Sequence, residues 1–221
     1  MSAHCGIGSV EQRAFIRQHT RLQSLPLLPE LRLHLADEVM PAWRGFEAAT
    51  GESEPPYWAF AWVGGQAIAR YLLDHPEEVA GKRVIDLACG SGLCAIAAMR
   101  AGADSAVAAD TDPFAAEAVA FNALANGVSV DVTSRDLLED HPPPADLILA
   151  GDVCYEMPMA ERVMQWLRAA HERRIRVLLG DPGREYFPQQ ELVQLAEYEV
   201  PATRELEDRN VKRTGVFTFP V

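Results

Sequence analysis

The stretch Val84 to Ala98, VIDLACGSGLCAIAA, carries the residues best suited to chemistry. A β-branched run ends in Asp86, passes through Gly90 and Gly92, and becomes small and apolar at helical spacing, which predicts strand, tight loop and helix. Glycines let the chain turn sharply and let a ligand approach the main chain, and the helix that follows offers unpaired N–H groups at its positive end. The pattern suits a nucleoside cofactor. Further acids stand where other predicted strands end. Asp110, about 20 residues beyond Gly90, can accept two hydrogen bonds from ribose hydroxyls. Asp136 can accept from an exocyclic adenine amine, and Gly151-Asp152-Val-Cys-Tyr155 follows a later strand. Plainer roles compete with these: Asp112 suits a helix N-cap, Asp86 can serve loop amides alone, and Tyr155 can be a packed tyrosine at a helix start. Asp110 is the acid hardest to explain structurally.

Two cofactors fit the glycine loop, because Gly90-Ser-Gly92-Leu-Cys-Ala95 also satisfies the loose dinucleotide pattern GxGxxG/A. Charge separates them. A dinucleotide brings a pyrophosphate, whereas S-adenosylmethionine brings a zwitterionic amino acid and a sulfonium with no phosphate. Asp86, four residues before Gly90, stands close to where a pyrophosphate would lie and so favours the cationic cofactor.

The elements that must position these residues alternate cleanly. Strands are predicted at 82–87, 105–110, 129–133, 145–151 and 174–180, and helices at 93–101, 113–125, 158–172 and 188–197. Two late β runs, 196–202 and 212–219, should pair antiparallel, and the rest implies a mostly parallel sheet covered on both faces. Asp112, Pro113 and Asn126-Gly127 mark both ends of the 113–125 helix. Ahead of this core, residues 1–55 are expected to form a helical cap, with a helix from about Val10 to Gln23 and a mixed segment from Leu31 to Ala49. In that segment Leu33, Leu35, Val39 and Trp43 bury one face and Pro41 interrupts. Residues 56–221 form the rest of a single domain. Its aromatic opening, Pro56-Tyr-Trp-Ala-Phe-Ala-Trp62, leads into a helix at 66–73; Trp62 suits core packing and cleft lining equally.

Length allows one sizeable core, and no run of about 18 apolar residues is present to span a membrane. A formal charge of −12 argues against nucleic acid and anionic lipid as partners. Cys5, Cys89, Cys94 and Cys154 form no CxxC pair, so no metal is expected and a reducing, cytoplasmic setting fits. Arg13, Arg17 and Arg21 recur as in a transit peptide, but an N-terminal helix of the mature domain explains them better.

Asp86-Leu-Ala-Cys-Gly90-Ser-Gly92 resembles motif I of class I methyltransferases, with Ala88 where the first glycine usually stands. More narrowly, PYWAFAWVGG, ADTDP, GDVCYE, GDPGREYFP and TRELEDRNVKRTGVFTF are similar to the electron-transfer-flavoprotein β-subunit lysine methyltransferase group and its bacterial relatives, from about Phe15 to the end of the chain. The resemblance implies a doubly wound α/β fold with a mostly parallel seven-stranded sheet and an antiparallel last strand. It also implies S-adenosylmethionine held by Trp62, Asp86, Ala88, Gly90, Gly92, Asp110, Thr111, Asp136, Leu137 and Asp152. Asp152-Val-Cys-Tyr155 becomes the DxxY signature of lysine methylation, with Asp152 orienting the amine and Tyr155, with Trp62 or Trp58, walling its channel. The implied acceptor is a lysine of the electron transfer flavoprotein β-subunit, with a ribosomal protein as a related possibility. A small-molecule acceptor, a cofactor-binding module without turnover, and a dehydrogenase are the competing readings. Arg184 is read as a substrate contact or as a partner of Glu185 or Asp181. Glu207, Asp208, Lys212 and Arg213 are read as a solvated surface.

Overall fold

A computed structural model describes residues 9–51, 53–202, 207 and 210–220. The chain opens with α1 (Ser9–His19), closed where Thr20 turns its hydroxyl back onto the Ile16 carbonyl at 2.6 Å. Strands β1 (Arg21–Leu25) and β2 (Leu28–Leu35) then form an antiparallel hairpin. The predicted cap therefore contains a strand pair that helical spacing did not suggest. Leu31, Leu33 and Leu35 recur every second residue and all are buried, which is the period of a strand with one face on a core. Helix α2 (Val39–Thr50) follows; Pro41 sits within its first turn, where a missing N–H costs no internal bond, and Gly51 closes it with φ 76°.

Helix α3 (Val63–Asp74) begins three residues earlier than expected, at Trp62 as N-cap. The alternation then runs β3 (Arg83–Leu87), α4 (Leu93–Arg100), β4 (Ser105–Ala109), α5 (Pro113–Ala125), β5 (Asp131–Thr133), β6 (Leu147–Gly151), α6 (Met157–Glu172) and β7 (Arg176–Asp181). It finishes with β8 (Val193–Pro201) and β9 (Val211–Thr218). The seven-stranded sheet has the order β5-β4-β3-β6-β7-β9-β8, parallel through β7, with β9 antiparallel between β7 and β8. The helix predicted at 188–197 is instead a single 3-10 turn, Gln189–Glu191, followed by β8. Its Leu, Gln and Glu favour a helix weakly, but pairing with β9 along the whole edge prevails over that preference.

The sheet buries a core on each face. On one side α3 and α4 pack Ala67, Ile68, Leu72, Ala95 and Ala98 against Val84, Leu147 and Leu178; on the other, α6 packs Val163, Trp166 and Leu167 against Ile148, Val177 and Phe217. The N-terminal elements join the first face through α5. Ile16 and Phe46 cluster with Trp58 and Phe114, and Asn122 of α5 and Asn126 at its C-cap pair with the backbone of β2 at His34 and Arg32. Without those side-chain partners, part-buried peptide groups along the outer edge of β2 would lack hydrogen bonds within the protein. No helix among the described residues is long and apolar enough to cross a membrane.

Candidate active site

The carboxyl ends of β3, β4, β6 and β7 open into one cavity of ≈ 1240 Å³. In a doubly wound sheet this is where ligands sit, because the order of strands reverses between β3 and β6. At its floor the chain leaves β3 through residues 88–92, with Ala88, Gly90 and Gly92 all at positive φ, 52°, 49° and 76°. Glycine adopts such angles freely, whereas Ala88 does so at a cost of roughly 1–2 kcal/mol. Gly92 must stay small for another reason: a Cβ there would lie 2.8 Å from Val119 of α5. It alone of the expected cofactor residues does not line the cavity and instead seats α4 against α5.

Asp86 is 2% exposed and accepts from the Ala95 amide at 2.9 Å, tying β3 to the first turn of α4. Burial pushes its carboxyl up to about 8, against the pull of that amide, and the charge of Asp110 adds to the rise. Asp110 accepts from Gly90 N at 2.8 Å through Oδ2 and from Asp112 N at 3.0 Å through Oδ1. Its carboxyl is also raised, by burial, against three backbone N–H groups. Asp110 thus holds the glycine loop in shape while facing the cavity beside Thr111. Asp112 caps α5 by accepting from Phe114 N at 2.8 Å, as expected. Asp136 accepts from Leu138 N at 3.0 Å and pairs with Arg162 at 2.7 Å, with Leu137 beside it on the cavity wall.

Opposite this half lies Asp152, 8% exposed and in the left-handed region at φ 59°. Its position depends on four closely packed glycines, Gly64, Gly65, Gly151 and Gly180. A Cβ on Gly64 would overlap the Gly180 carbonyl and lie 2.6 Å from Asp152 Oδ2, and one on Gly151 would lie 2.7 Å from Gly65 N. The first turn of α3 therefore rests directly on the ends of β6 and β7, and Gly65 N donates to Asp152 Oδ2 at 3.0 Å. Asp152 Oδ1 takes Arg184 Nη2 at 2.8 Å. Burial raises the Asp152 carboxyl and Arg184 counters it. The pairings expected for Arg184 are thus replaced: its side chain reaches Asp152 and Glu207, while its backbone N–H donates to Asp181. Glu207, expected on a solvated surface, is 4% exposed, and Asp208 lies outside the described residues.

Tyr155 is 42% exposed at the mouth, its ring 5.6 Å from that of Tyr57. Burial pushes its phenol up, aided by Tyr57 and Glu156, so it stays protonated. Trp62 lines the cavity, 5.7 Å from Tyr57, and donates its indole N–H to the Tyr57 carbonyl at 3.0 Å. Trp58 is 1% exposed and stacks on Phe114 at 5.7 Å; it touches the cavity, and its indole N–H has no hydrogen-bond partner among the described residues. Sequence reading gave Tyr57 no separate role. Its place within PYWAF was the available signal, and for Glu207 it was its place within the family-like stretch TRELEDRNVKRTGVFTF.

Six carboxylates (Glu54, Asp86, Asp110, Asp112, Asp136 and Asp152) line the cavity against two arginines, Arg135 and Arg184. That balance attracts cations and repels a pyrophosphate. Residues 69–156, spanning the glycine loop to the Asp152–Tyr155 segment, match the family Ribosomal protein L11 methyltransferase (PrmA). Among solved structures, magnesium protoporphyrin IX methyltransferase from Synechocystis PCC 6803 with bound SAM has a TM-score of 0.51 at 18% identity, covering 71% of this chain and 79% of that one, a likeness of fold. The electron transfer flavoprotein beta subunit lysine methyltransferase of Xenopus laevis is 38% identical over 94% of this chain and 86% of its own length. That of Homo sapiens is 35% identical over 95% and 82%. With such identity from end to end, the chain belongs to the electron transfer flavoprotein beta subunit lysine methyltransferase family.

Proposed function

We propose that this protein transfers methyl groups from S-adenosylmethionine to lysine side chains of the electron transfer flavoprotein β-subunit. The observation that carries the reading is a single acidic cavity running from Asp110, past the glycine loop, to Asp152 and the tyrosines at its mouth. The match to the ribosomal L11 methyltransferases covers residues 69–156 and leaves out Tyr57, Trp62 and Arg184, whereas the match to the flavoprotein β-subunit enzymes covers 94% of the chain, which favours the flavoprotein acceptor.

The residues present fit the cofactor. Asp110 stands ready for a diol, Asp86 for an ammonium, Asp136 and Leu137 for an adenine, and the unpaired indole N–H of Trp58 offers a buried donor to an oxygen. An unpaired buried donor costs about 1–3 kcal/mol, so an acceptor there is well rewarded. Bound S-adenosylmethionine supplies an electrophilic methyl group on a cationic sulfur. The protein's task is to present a neutral amine to it. A free lysine has a pKa of ~10.4, so near pH 7 deprotonation takes roughly 4–5 kcal/mol. Tyr57, Tyr155 and Trp62 desolvate the incoming chain, which lowers that requirement. Asp152, held from both sides, accepts an N–H of the amine with its remaining lone pairs and so aims the nitrogen. In-line displacement then needs position more than a strong base.

The test is transfer of labelled methyl from S-adenosylmethionine to purified flavoprotein β-subunit, read by mass spectrometry. Asp152→Ala is expected to abolish transfer while S-adenosylhomocysteine still binds in calorimetry, and Asp110→Ala to weaken that binding about tenfold or more. Label on small metabolites with none on protein would overturn the acceptor; tight NAD binding without the homocysteine product would overturn the cofactor.

A further inference from the structure

We propose, on the basis of the lysine-methylating site described above, that Arg184 and Glu207 are positioning residues that keep Asp152 aimed at the acceptor and electrostatically available to it. Neither lies near Asp152 in sequence. Arg184 stands just beyond β7, in a turn built by Asp181: its Oδ1 accepts from Gly183 N and Arg184 N, each at 2.7 Å, with Gly183 at φ 85°. That turn directs the guanidinium toward β6. One nitrogen, Nη2, then reaches Asp152 Oδ1 at 2.8 Å and Glu207 Oε1 at 2.7 Å. Glu207 comes from the connection between β8 and β9, and Lys212 Nζ lies 3.8 Å from its other oxygen.

The charges explain why two acids share one arginine. A lone Arg184 against Asp152 would form a neutral pair and cancel the negative charge beside a channel meant for an ammonium. Glu207 restores it. Asp152, Asp181 and Glu207 against Arg184 and Lys212 then sum to −1, so the site keeps a net attraction for the incoming lysine while the carboxylate is held in one orientation. An arrangement serving stability alone would need no second carboxylate, since a buried pair is weak evidence of stabilisation and a third ion adds desolvation. Asp181, at the end of β7, and the thiols Cys94 and Cys154 also face Asp152, and α3 contributes the glycines 64 and 65, which do not titrate.

The removal of each partner has a distinct signature. Glu207→Gln keeps shape and removes charge, leaving Arg184 uncompensated. The expected result is a KM for the flavoprotein β-subunit raised about tenfold, with kcat and S-adenosylhomocysteine affinity within about twofold. Arg184→Gln removes the cation that holds the Asp152 carboxyl down, so the acidic limb of the kcat/KM profile moves to higher pH and kcat falls about tenfold or more. Arg184→Lys restores part of kcat, because it returns the charge without the planar fork. All are measured on the full chain beside the wild type, with thermal unfolding in parallel. If Arg184→Gln does not fold, Glu207→Gln and Arg184→Lys still decide. Variants that lower only the unfolding temperature, with KM, kcat and pH profile unchanged, overturn the assignment. Absence of transfer by the wild type overturns the underlying activity, and this assignment with it.

Discussion

At the scale of single residues, Asp86 shows how the burial of one carboxylate couples stability to pH. Unfolded, it titrates near the usual carboxylate value; folded and buried, it is pushed up to about 8. Below about pH 4 both states hold the proton and nothing is lost. Between about pH 4 and 8 the unfolded chain releases it while the folded chain retains it, so Asp86 destabilises the fold progressively as pH rises. Asp86→Asn keeps an acceptor for Ala95 N and removes the titration. The variant is expected to unfold at a higher temperature than the wild type at pH 8 and at the same temperature below pH 4, a difference on the order of a few kcal/mol. Above about pH 8, where the folded chain carries the Asp86 charge, its affinity for S-adenosylhomocysteine should fall about tenfold, since the ammonium loses its counter-charge. Calorimetry from below about pH 4 to about pH 9 checks both. Asp86, Asp110 and Asp152 were legible in the sequence because each ends a strand, and strand ends can be read from β-branched runs. Arg184 was singled out as well, but its pairing with Asp152 and Glu207 was not legible, because a guanidinium shared between distant segments leaves no spacing to detect.

At the scale of elements, the seat of α3 is where local sequence and site geometry meet. Gly64 and Gly180 approach backbone to backbone, and a Cβ on either would overlap the other's carbonyl. Gly64→Ala is expected to lose about 1–3 kcal/mol in urea unfolding. Activity should fall further than stability, by about 100-fold, because Gly65 N would move off Asp152 and a displacement of about 1 Å is costly to catalysis. Unchanged activity in a destabilised but folded variant would detach α3 from the site. The elements misread from sequence share a cause. Leu31, Leu33 and Leu35 form a strand because β1 pairs beside them and α5 with its C-cap supplies Asn122 and Asn126 to the outer edge. Residues 193–201 form a strand because β9 lies alongside. In both, partners distant in sequence outweigh weak local preference.

At the scale of the whole molecule, a formal charge of −12 and an acidic cavity should draw a lysine-bearing segment of a partner protein. Raising salt from about 50 to about 300 mM is expected to lower kcat/KM several-fold, mainly through KM, as screening shortens the reach of that field. A stopped-time assay across a KCl series tests it; insensitivity to salt would mean that contact geometry alone selects the acceptor. The alternation of strands and helices, the glycine loop and the strand-end carboxylates were determined by the sequence itself, since they follow from local periodicity and backbone freedom. The N-terminal hairpin, the meeting of Tyr57 with Tyr155, and the Asp152–Arg184–Glu207 cluster were decided by the tertiary structure. The physical reason is range: patterning acts through neighbours three or four residues apart, whereas these contacts join segments that only sheet order and close glycine packing bring together.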